Sequence, residues 1–253
     1  MTGTFIVLLI LAAGAQAAEL SPKTLNAFQA YIEAADRAMQ ERPQSAARLA
    51  AKPGAPPVVE GWEGKGVHEV ADGLVHDWVG AIFVEKVRLK DAIEVLRNVD
   101  KYKHYYPQVI ASRTLKREGD RAAVSMRLLK KKIITVVLDA HYDVQNRDLG
   151  GGRYQIWSKS TKISEVSNAG KPDEHIKPPG TGFGFLWRLN SYWLLEERNG
   201  GVYMELRAIS LTRDIPAGLG WAIKPMVTSL PRESLVSTLE GTAKAMLWYS
   251  RQN

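Results

Sequence analysis

The alternation of apolar and polar residues is clearest over residues 184–216, where two such runs flank Asn199-Gly200. Asn-Gly between alternating runs is a strong signal for a β-hairpin with a two-residue turn. If Arg198 and Gly201 close that turn, the pairing of the two strands follows from it. One face of the hairpin then collects Leu195 with Met204, Trp193 with Leu206, Ser191 with Ala208, Leu189 with Ser210, and Trp187 with Thr212.

We expect this first face to be buried and the opposite face to lie in water. The opposite face carries mostly polar and charged residues, namely Arg188, Asn190, Glu196, Tyr203, Glu205 and Arg207. Small side chains stand at the centre of the buried face, at Ser191, Ala208 and Ser210. They leave volume that either a packed helix or a ligand must fill.

Before this hairpin the chain carries a helical pattern and a proline-rich stretch. Ser21-Pro22 is typical of a helix start, and the helix is predicted to reach about Arg42. Its apolar stripe consists of Leu25, Phe28, Ile32, Ala35 and Met39. The stripe either docks on the rest of the chain or pairs with a second copy. Residues 52–57 (KPGAPP) cannot continue a helix, so we place a domain boundary there.

The remaining chain alternates with period two and then becomes helical again. Strands are predicted at 74–84, 109–116, 122–129, 134–144 and 153–166, helices at 89–99, 219–229 and 231–249, and a loop at 168–182. In 153–166 the pattern leaves open whether Ile156 or Trp157 faces inward. The last helix presents Leu235, Leu239, Thr242 and Met246 on one face. This order predicts an α+β fold, a curved antiparallel sheet wrapped around a long C-terminal helix, with an extra N-terminal helix.

The composition and the apolar N-terminal run indicate the compartment in which the protein is found. The 253 residues carry a net charge of +7 and no cysteine, which excludes disulfides and thiolate chemistry. Residues 5–18 are uncharged and apolar and end near Ala15-Gln16-Ala17, the pattern of a signal-peptidase site. We therefore predict a signal peptide at 1–18, a helix and linker at 19–60, a main domain at 61–253, and a periplasmic or secreted protein.

Three stretches resemble a known superfamily: residues 73–84 (GLVHDWVGAIFV), 128–138 (LLKKKIITVVL) and 185–216, with its WRLNSYW and ISLTRDIP ends. They are similar to the START-like, helix-grip (SRPBCC) superfamily of polyketide cyclases and lipid-transfer domains, and look like an exported bacterial branch of it. The resemblance covers roughly residues 61–250. It implies a hydrophobic cavity between the sheet and the long helix, whose occupants in the superfamily include lipids, quinones, steroids and polyketides.

Few residues suggest a catalytic, metal-binding or ligand-binding role. His76 and Trp78 lie two apart on a strand and share a face, so His76 either meets the polar head of a ligand or is satisfied by backbone or water. His141 lies beside Asp139 and Asp143, which we interpret as a solvated surface rather than a metal site. No nucleophile elbow, P-loop or dinucleotide fingerprint appears, so no cofactor is predicted.

Basic residues leave further alternatives open. Arg213 either pairs with Asp214 at the strand-to-helix corner or points into the cavity mouth. The turn at Lys130, Lys131 and Lys132 either aids solubility or touches an anionic membrane surface. Nucleic acid is not predicted as a partner, because basic residues alternate with acidic ones.

The sequence thus favours binding of a hydrophobic or amphipathic small molecule such as a lipid. The predicted ligand-binding residues are His76, Trp78, Trp187, Leu189, Ser191, Trp193, Met204, Leu206, Ala208, Ser210, Arg213, Leu235, Leu239, Thr242 and Met246. Two alternatives stay open: a cyclase- or hydrolase-type enzyme with His76 or Tyr192 as acid or base, and an interaction module in which the first helix joins two chains.

Overall fold

The structure, a computed structural model, describes residues 18–131, 135–214 and 220–252, and the side chains of the last range from 229 onward. The helices are α1 (Pro22–Glu41), α2 (Leu89–Arg97), α3 (Tyr102–Tyr105) and α4 (Gly220–Ser250), with 3-10 turns at Arg42–Gln44, Trp62–Gly64 and Val99–Lys101. The strands are β1 (Ala18–Glu19), β2 (Val58–Gly61), β3 (Val67–Val70), β4 (Gly73–Glu85), β5 (Val109–Glu118), β6 (Arg121–Lys131), β7 (Thr135–Gly150), β8 (Arg153–Ser167), β9 (His175–Ile176), β10 (Thr181–Gly182), β11 (Arg188–Arg198) and β12 (Gly201–Arg213).

One large antiparallel sheet organises the described residues. Its order is β2-β4-β12-β11-β8-β7-β6-β5, and with β3 on β4 and β9 on β8 it has ten strands. β1 and β10 form a separate pair. The predicted α+β fold class, an antiparallel sheet with a long C-terminal helix and an extra N-terminal helix, is confirmed.

The sheet is curved so strongly that α4 contacts strands towards both of its edges. A Cβ added at Gly80 of β4 would lie 2.8 Å from Leu239 Cδ1, so glycine lets α4 lie directly on that strand. At the other side, Lys130 Nζ of β6 donates to Ser234 Oγ of α4. Four strands separate β4 from β6 in the sheet order, so both contacts require strong curvature. We call the side facing α4 the concave face and the opposite side the convex face.

The hairpin of β11 and β12 has the predicted turn and register. Asn199 and Gly200 both have positive φ, 51° and 74°, as a turn that follows the strand twist requires. Leu195 pairs with Met204, Trp193 with Leu206, Ser191 with Ala208, and Leu189 with Ser210.

The expected position of Trp187 is wrong. β11 begins only at Arg188, which pairs with Leu211. The backbone N–H of Trp187 also donates to the carbonyl of Leu211, so Trp187 does not take the predicted position opposite Thr212. Its side chain therefore packs with Phe28 and Ile32 of α1 on the convex face.

The convex face of the hairpin of β11 and β12 is largely buried, which corrects the expectation that it lies in water. α1 begins with Ser21 as its N-cap, whose hydroxyl accepts from Thr24 N at 3.1 Å. Four members of the apolar stripe of α1, Phe28, Ile32, Ala35 and Met39, pack on the chain's own sheet, in a cluster that also contains Val75, Trp157, Tyr192, Ile209 and Leu211. Of the two alternatives left open by the sequence, the stripe therefore docks on the rest of the chain.

Two ion pairs lie beneath this cover. Asp77 of β4 accepts two hydrogen bonds from Arg207 of β12, at 2.9 and 2.6 Å, and a third from the hydroxyl of Tyr31 in α1 at 2.8 Å. Burial, and then the neighbouring Asp77, raise the pKa of Tyr31, so its hydroxyl stays a donor.

Glu205 is bound in the same way. It accepts from Arg42 at 2.6 and 2.9 Å and from the hydroxyl of Tyr203 at 2.8 Å. Asp77 and Glu205 are both 0% exposed, so each needs all of its partners.

The structure also answers two further questions raised by the sequence, the inward residue of β8 and the number of C-terminal helices. Both Ile156 and Trp157 are buried, the first on the concave and the second on the convex face. α4 continues through Pro231 as one helix, whereas two helices were predicted. The domain boundary at 52–57 stays a prediction, and within that stretch Pro53 bridges to Phe83.

The predicted signal peptide, 1–18, lies outside the described residues except for Ala18. Among the described helices, none combines the length and apolar character needed to cross a bilayer. Within the described ranges, no group of three or more potential ligands is placed to hold a metal ion.

Charge removal at Asp77 should destabilise the fold strongly. The Asp77→Asn substitution leaves the buried guanidinium of Arg207 without a counter-charge, and we expect the free energy of unfolding to fall by about 3–5 kcal/mol. Urea unfolding followed by circular dichroism measures this. As a control, Glu118→Gln removes a charge from an ion pair with Lys116 whose side chains are 69% and 68% exposed, and should cost less than about 1 kcal/mol. Equal losses in the two variants would contradict the role given to the buried pair.

Candidate functional site

A row of small residues crosses the middle of the concave face. Antiparallel register places Ala208 of β12 beside Ser191 of β11, and Ser191 beside Ser158 of β8. Trp78 of β4 ends the row on one side and Val144 of β7 on the other. Because directly paired residues point to the same face, three adjacent strands present only small side chains towards α4 here.

A second row lies beside the first, nearer the end of β12. His76 of β4 pairs with Ser210, whose partner on β11 is Leu189. The backbone N–H of Leu189 donates to Ser160 Oγ at 2.9 Å, and Ser160 pairs with Tyr142 of β7. We call these two rows, from Trp78 to Val144 and from His76 to Tyr142, the trough.

The first row of the trough stays partly accessible although it faces α4. Its members Trp78, Ala208, Ser191, Ser158 and Val144 are all half-buried. Further along the concave face, Met126 and Leu128 of β6 are half-buried as well. In contrast, the adjacent row made by Leu206, Trp193 and Ile156 is buried. The small residues therefore keep some accessible surface, which ends where the large side chains begin.

The large side chains fill the other end of the concave face. Trp193, Met204 and Leu206 form one core cluster with the α4 residues Leu235, Leu239 and Met246. Thr242 is buried there too, and its hydroxyl donates to Thr238 O and pairs with Tyr106 Oη, both at 2.8 Å. These predicted wall residues pack against each other, so they close the trough rather than line open space.

His76 and Tyr142 are the two titratable residues in the two rows. The side chain of His76 is 0% exposed, and Nε2 lies 3.0 Å from Thr212 Oγ1. Burial lowers the pKa of His76 to about 4, so the ring is neutral at physiological pH. Its Nδ1 and the indole Nε1 of Trp78 are buried and have no hydrogen-bond partner. The trough thus combines apolar walls with one unpartnered ring nitrogen, His76 Nδ1.

Three residues named from the sequence do not join this site. Tyr192 lies on the convex face, and its hydroxyl donates to Asp36 Oδ1 at 2.8 Å, which excludes it as an acid or base for a ligand in the trough. Trp187 packs with α1. Arg213 pairs with Gly73 at the end of β12, and the alternation of side chains along the strand gives it the convex-face position.

The lysine turn also differs from expectation. Lys130 is half-buried and bonded to Ser234 of α4, so it is not part of an exposed basic tip. Lys131 is exposed, and Lys132 lies outside the described residues. His141 bonds to Asp139 at 3.1 Å on the convex face, and both are half-buried rather than fully solvated.

Sequence reasoning missed the half of the trough that β6, β7 and β8 contribute. The signal was present in the alternation of β6 and β7, which places Met126 and Leu128 on the inner face. In β8 a register shift between Ser160 and Lys162 breaks the alternation, so that Ser160 and Ile163 lie on one face. Ser158 and Ser160 precede this bulge and stay in phase with Ile156, and they were missed because Ile156 and Trp157 are both buried, so the pattern did not show which face is inward.

A second concavity lies on the surface between α2 and β5. It encloses about 370 Å³ and is lined by Glu94, Arg97, Asn98, Asp100, Thr114 and Arg117. Its lining is polar and charged, and the carboxylate of Asp100 is already bonded to Thr114. This charged surface is therefore not suited to an apolar ligand.

Comparison with known proteins found no matching family model and no matching curated protein. Among solved structures, a STAR-related lipid transfer protein from Xanthomonas axonopodis is 20% identical and covers 74% of this chain and 100% of its own, with a TM-score of 0.46. Human STARD10 is 13% identical and covers 74% and 75%, with a TM-score of 0.48. The di-domain aromatase/cyclase StfQ of the steffimycin pathway is 16% identical and covers 70% and 52%, with a TM-score of 0.47.

The similar structures carry the names of the classes that the sequence resemblance indicated, START lipid-transfer domains and polyketide aromatase/cyclases. Because these sequence identities are low, we infer the candidate site from the side chains of this chain alone.

The depressed pKa of His76 predicts a specific pH dependence of stability. The unfolded ring takes up a proton below about pH 6.5 and the folded ring only near pH 4, so the stability from this group is full above pH 6.5 and is lost as the pH falls. When the pH falls from 7.5 to 5, the free energy of unfolding of His76→Gln should therefore decrease by about 2 kcal/mol less than that of the natural chain. Urea unfolding at both pH values measures the difference.

The control for this experiment is His104→Gln, since the side chain of His104 is exposed. It should keep the pH dependence of the natural chain. If His76→Gln also kept it, His76 would not be the buried neutral group described above.

Proposed function

We propose that the protein binds a hydrophobic or amphipathic small molecule in the trough between α4 and the concave face. The row of Ala208, Ser191 and Ser158 carries this proposal, because three neighbouring strands present small, half-buried side chains under a helix. A protein interior is otherwise packed without voids, so retained space of this kind is typical of a ligand site.

The proposed binding mode follows from the lining. The apolar part of the ligand would lie against Val144, Leu189 and the β6 residues Met126 and Leu128, which are half-buried without it. Each methylene removed from water there contributes about 0.8 kcal/mol. The core cluster around Trp193 and Leu239 would set the depth to which the ligand enters.

The narrower proposal is that the ligand is a lipid and that the protein carries it outside the cytoplasm. The predicted signal peptide at 1–18 supports an exported protein. An apolar ligand in an aqueous compartment needs a binding protein, since its exposed surface is costly in water.

Filling the trough should abolish ligand uptake. The Ser191→Trp substitution places an indole in the small-residue row, and we expect it to eliminate the fluorescence enhancement of N-phenyl-1-naphthylamine that the natural chain gives. The matched control is Ser125→Trp, which adds the same side chain on the convex face of β6, where Ser125 pairs with His141. It should bind the probe like the natural chain.

Two results would contradict the proposal. One is unchanged probe binding by Ser191→Trp, provided that circular dichroism shows both variants folded. The other is the absence of any probe binding by the natural chain after extraction of co-purifying lipid with organic solvent.

A further inference from the structure

The hydrogen bonds around His76 determine which of its ring nitrogens carries the proton. The hydroxyl of Thr212 donates its single proton to the carbonyl of Arg213, 3.1 Å away. That hydroxyl can therefore only accept from His76, whose Nε2 lies 3.0 Å from it. We therefore assign the ring proton to His76 Nε2, the arrangement that satisfies both hydrogen bonds, and this assignment makes Nδ1 an acceptor.

This acceptor is buried and unused. His76 Nδ1 has no partner in the structure, and its side chain is 0% exposed. A buried acceptor without a partner is unfavourable, because water bound it before folding and nothing replaces that water. The ring cannot relieve this by taking up a proton, since its burial disfavours the charged form.

A donor of the same kind stands next along the strand. Trp78 shares the concave face with His76 and lies two residues further on, about 6.6 Å away along the strand. Its indole Nε1 carries a hydrogen that can only be donated, and that atom is also buried without a partner. The Trp78 indole, however, packs on Gly66 at the edge of the sheet, where an added Cβ would clash with Trp78 Cε2, so His76 Nδ1 is the atom left for a ligand head in the trough.

We infer that the trough selects a ligand with an uncharged head that donates a hydrogen bond, such as an alcohol, over one with a carboxylate or phosphate head. This inference rests on the proposed function and specifies its ligand class. A hydroxyl can donate to His76 Nδ1, whereas an ionised carboxylate has no hydrogen to donate and would face a bare lone pair. The two rows of the trough also contain no Lys or Arg to neutralise an anion.

Competition among three ligands of equal chain length tests the inference. Decan-1-ol, decyl methyl ether and decanoate each displace bound N-phenyl-1-naphthylamine at pH 7.5. We expect the alcohol to bind about tenfold more tightly than the ether, which accepts but cannot donate, and more tightly still than decanoate.

Variants of the His76 and Thr212 pair separate a head-group role from a structural one. His76→Leu removes the acceptor and should abolish the preference for alcohol over ether while the ether still binds. Thr212→Val removes the oxygen that fixes the proton on Nε2 and should weaken the preference, whereas Thr212→Ser keeps that oxygen and should retain it.

The outcomes distinguish this inference from the proposed function. If no ligand displaces the probe because none binds, both fail. If alcohol and ether displace it equally well, ligand binding stands and the head-group inference is overturned. Long-range ¹H–¹⁵N spectra test the proton position independently of any ligand: a bare Nδ1 and a protonated Nε2 at His76 support the inference, and the reverse arrangement overturns it.

Discussion

The two-residue turn at Asn199 and Gly200 fixes the register on which the rest of the structure depends. Because side chains alternate across a strand, a slip of one residue would exchange the two faces of β11 and β12 completely. The observed register sends Ser191 and Ala208 towards α4, and sends Arg207 and Glu205 towards α1. Both the space for a ligand and the buried ion pairs follow from that single alignment.

The two faces of the sheet are covered by different elements and differ in their polar chemistry. Under α1, Asp77 and Glu205 each bind an arginine and a tyrosine hydroxyl, so that every buried charge is matched. Such pairs contribute little net stability but penalise any misalignment, because a shift would leave charges buried alone. Under α4, the two rows of the trough carry no charged side chain, and His76 Nδ1 lies there without a partner.

Local patterns in the sequence predicted most elements and the register of the central hairpin, and they left open whether His76 faces inward. They did not predict that the polar set around Arg207 is buried, because alternation distinguishes two faces but not whether a second helix covers the polar one. Trp187 and Ser158 were missed for different reasons. The late start of β11 takes Trp187 out of the alternation, and the inward face of β8 stayed ambiguous because Ile156 and Trp157 are both buried.

The central claim, that a ligand occupies the trough, is tested most directly by nuclear Overhauser effects between a bound probe and the methionine methyl groups. Met126 lies on the concave face and is half-buried, whereas Met39 of α1 is buried on the convex side. With ¹³C-methyl-labelled protein and bound decan-1-ol, the account predicts contacts from the alkyl chain to Met126 and none to Met39. Contacts to Met39, or saturable binding without any contact to Met126, would contradict it.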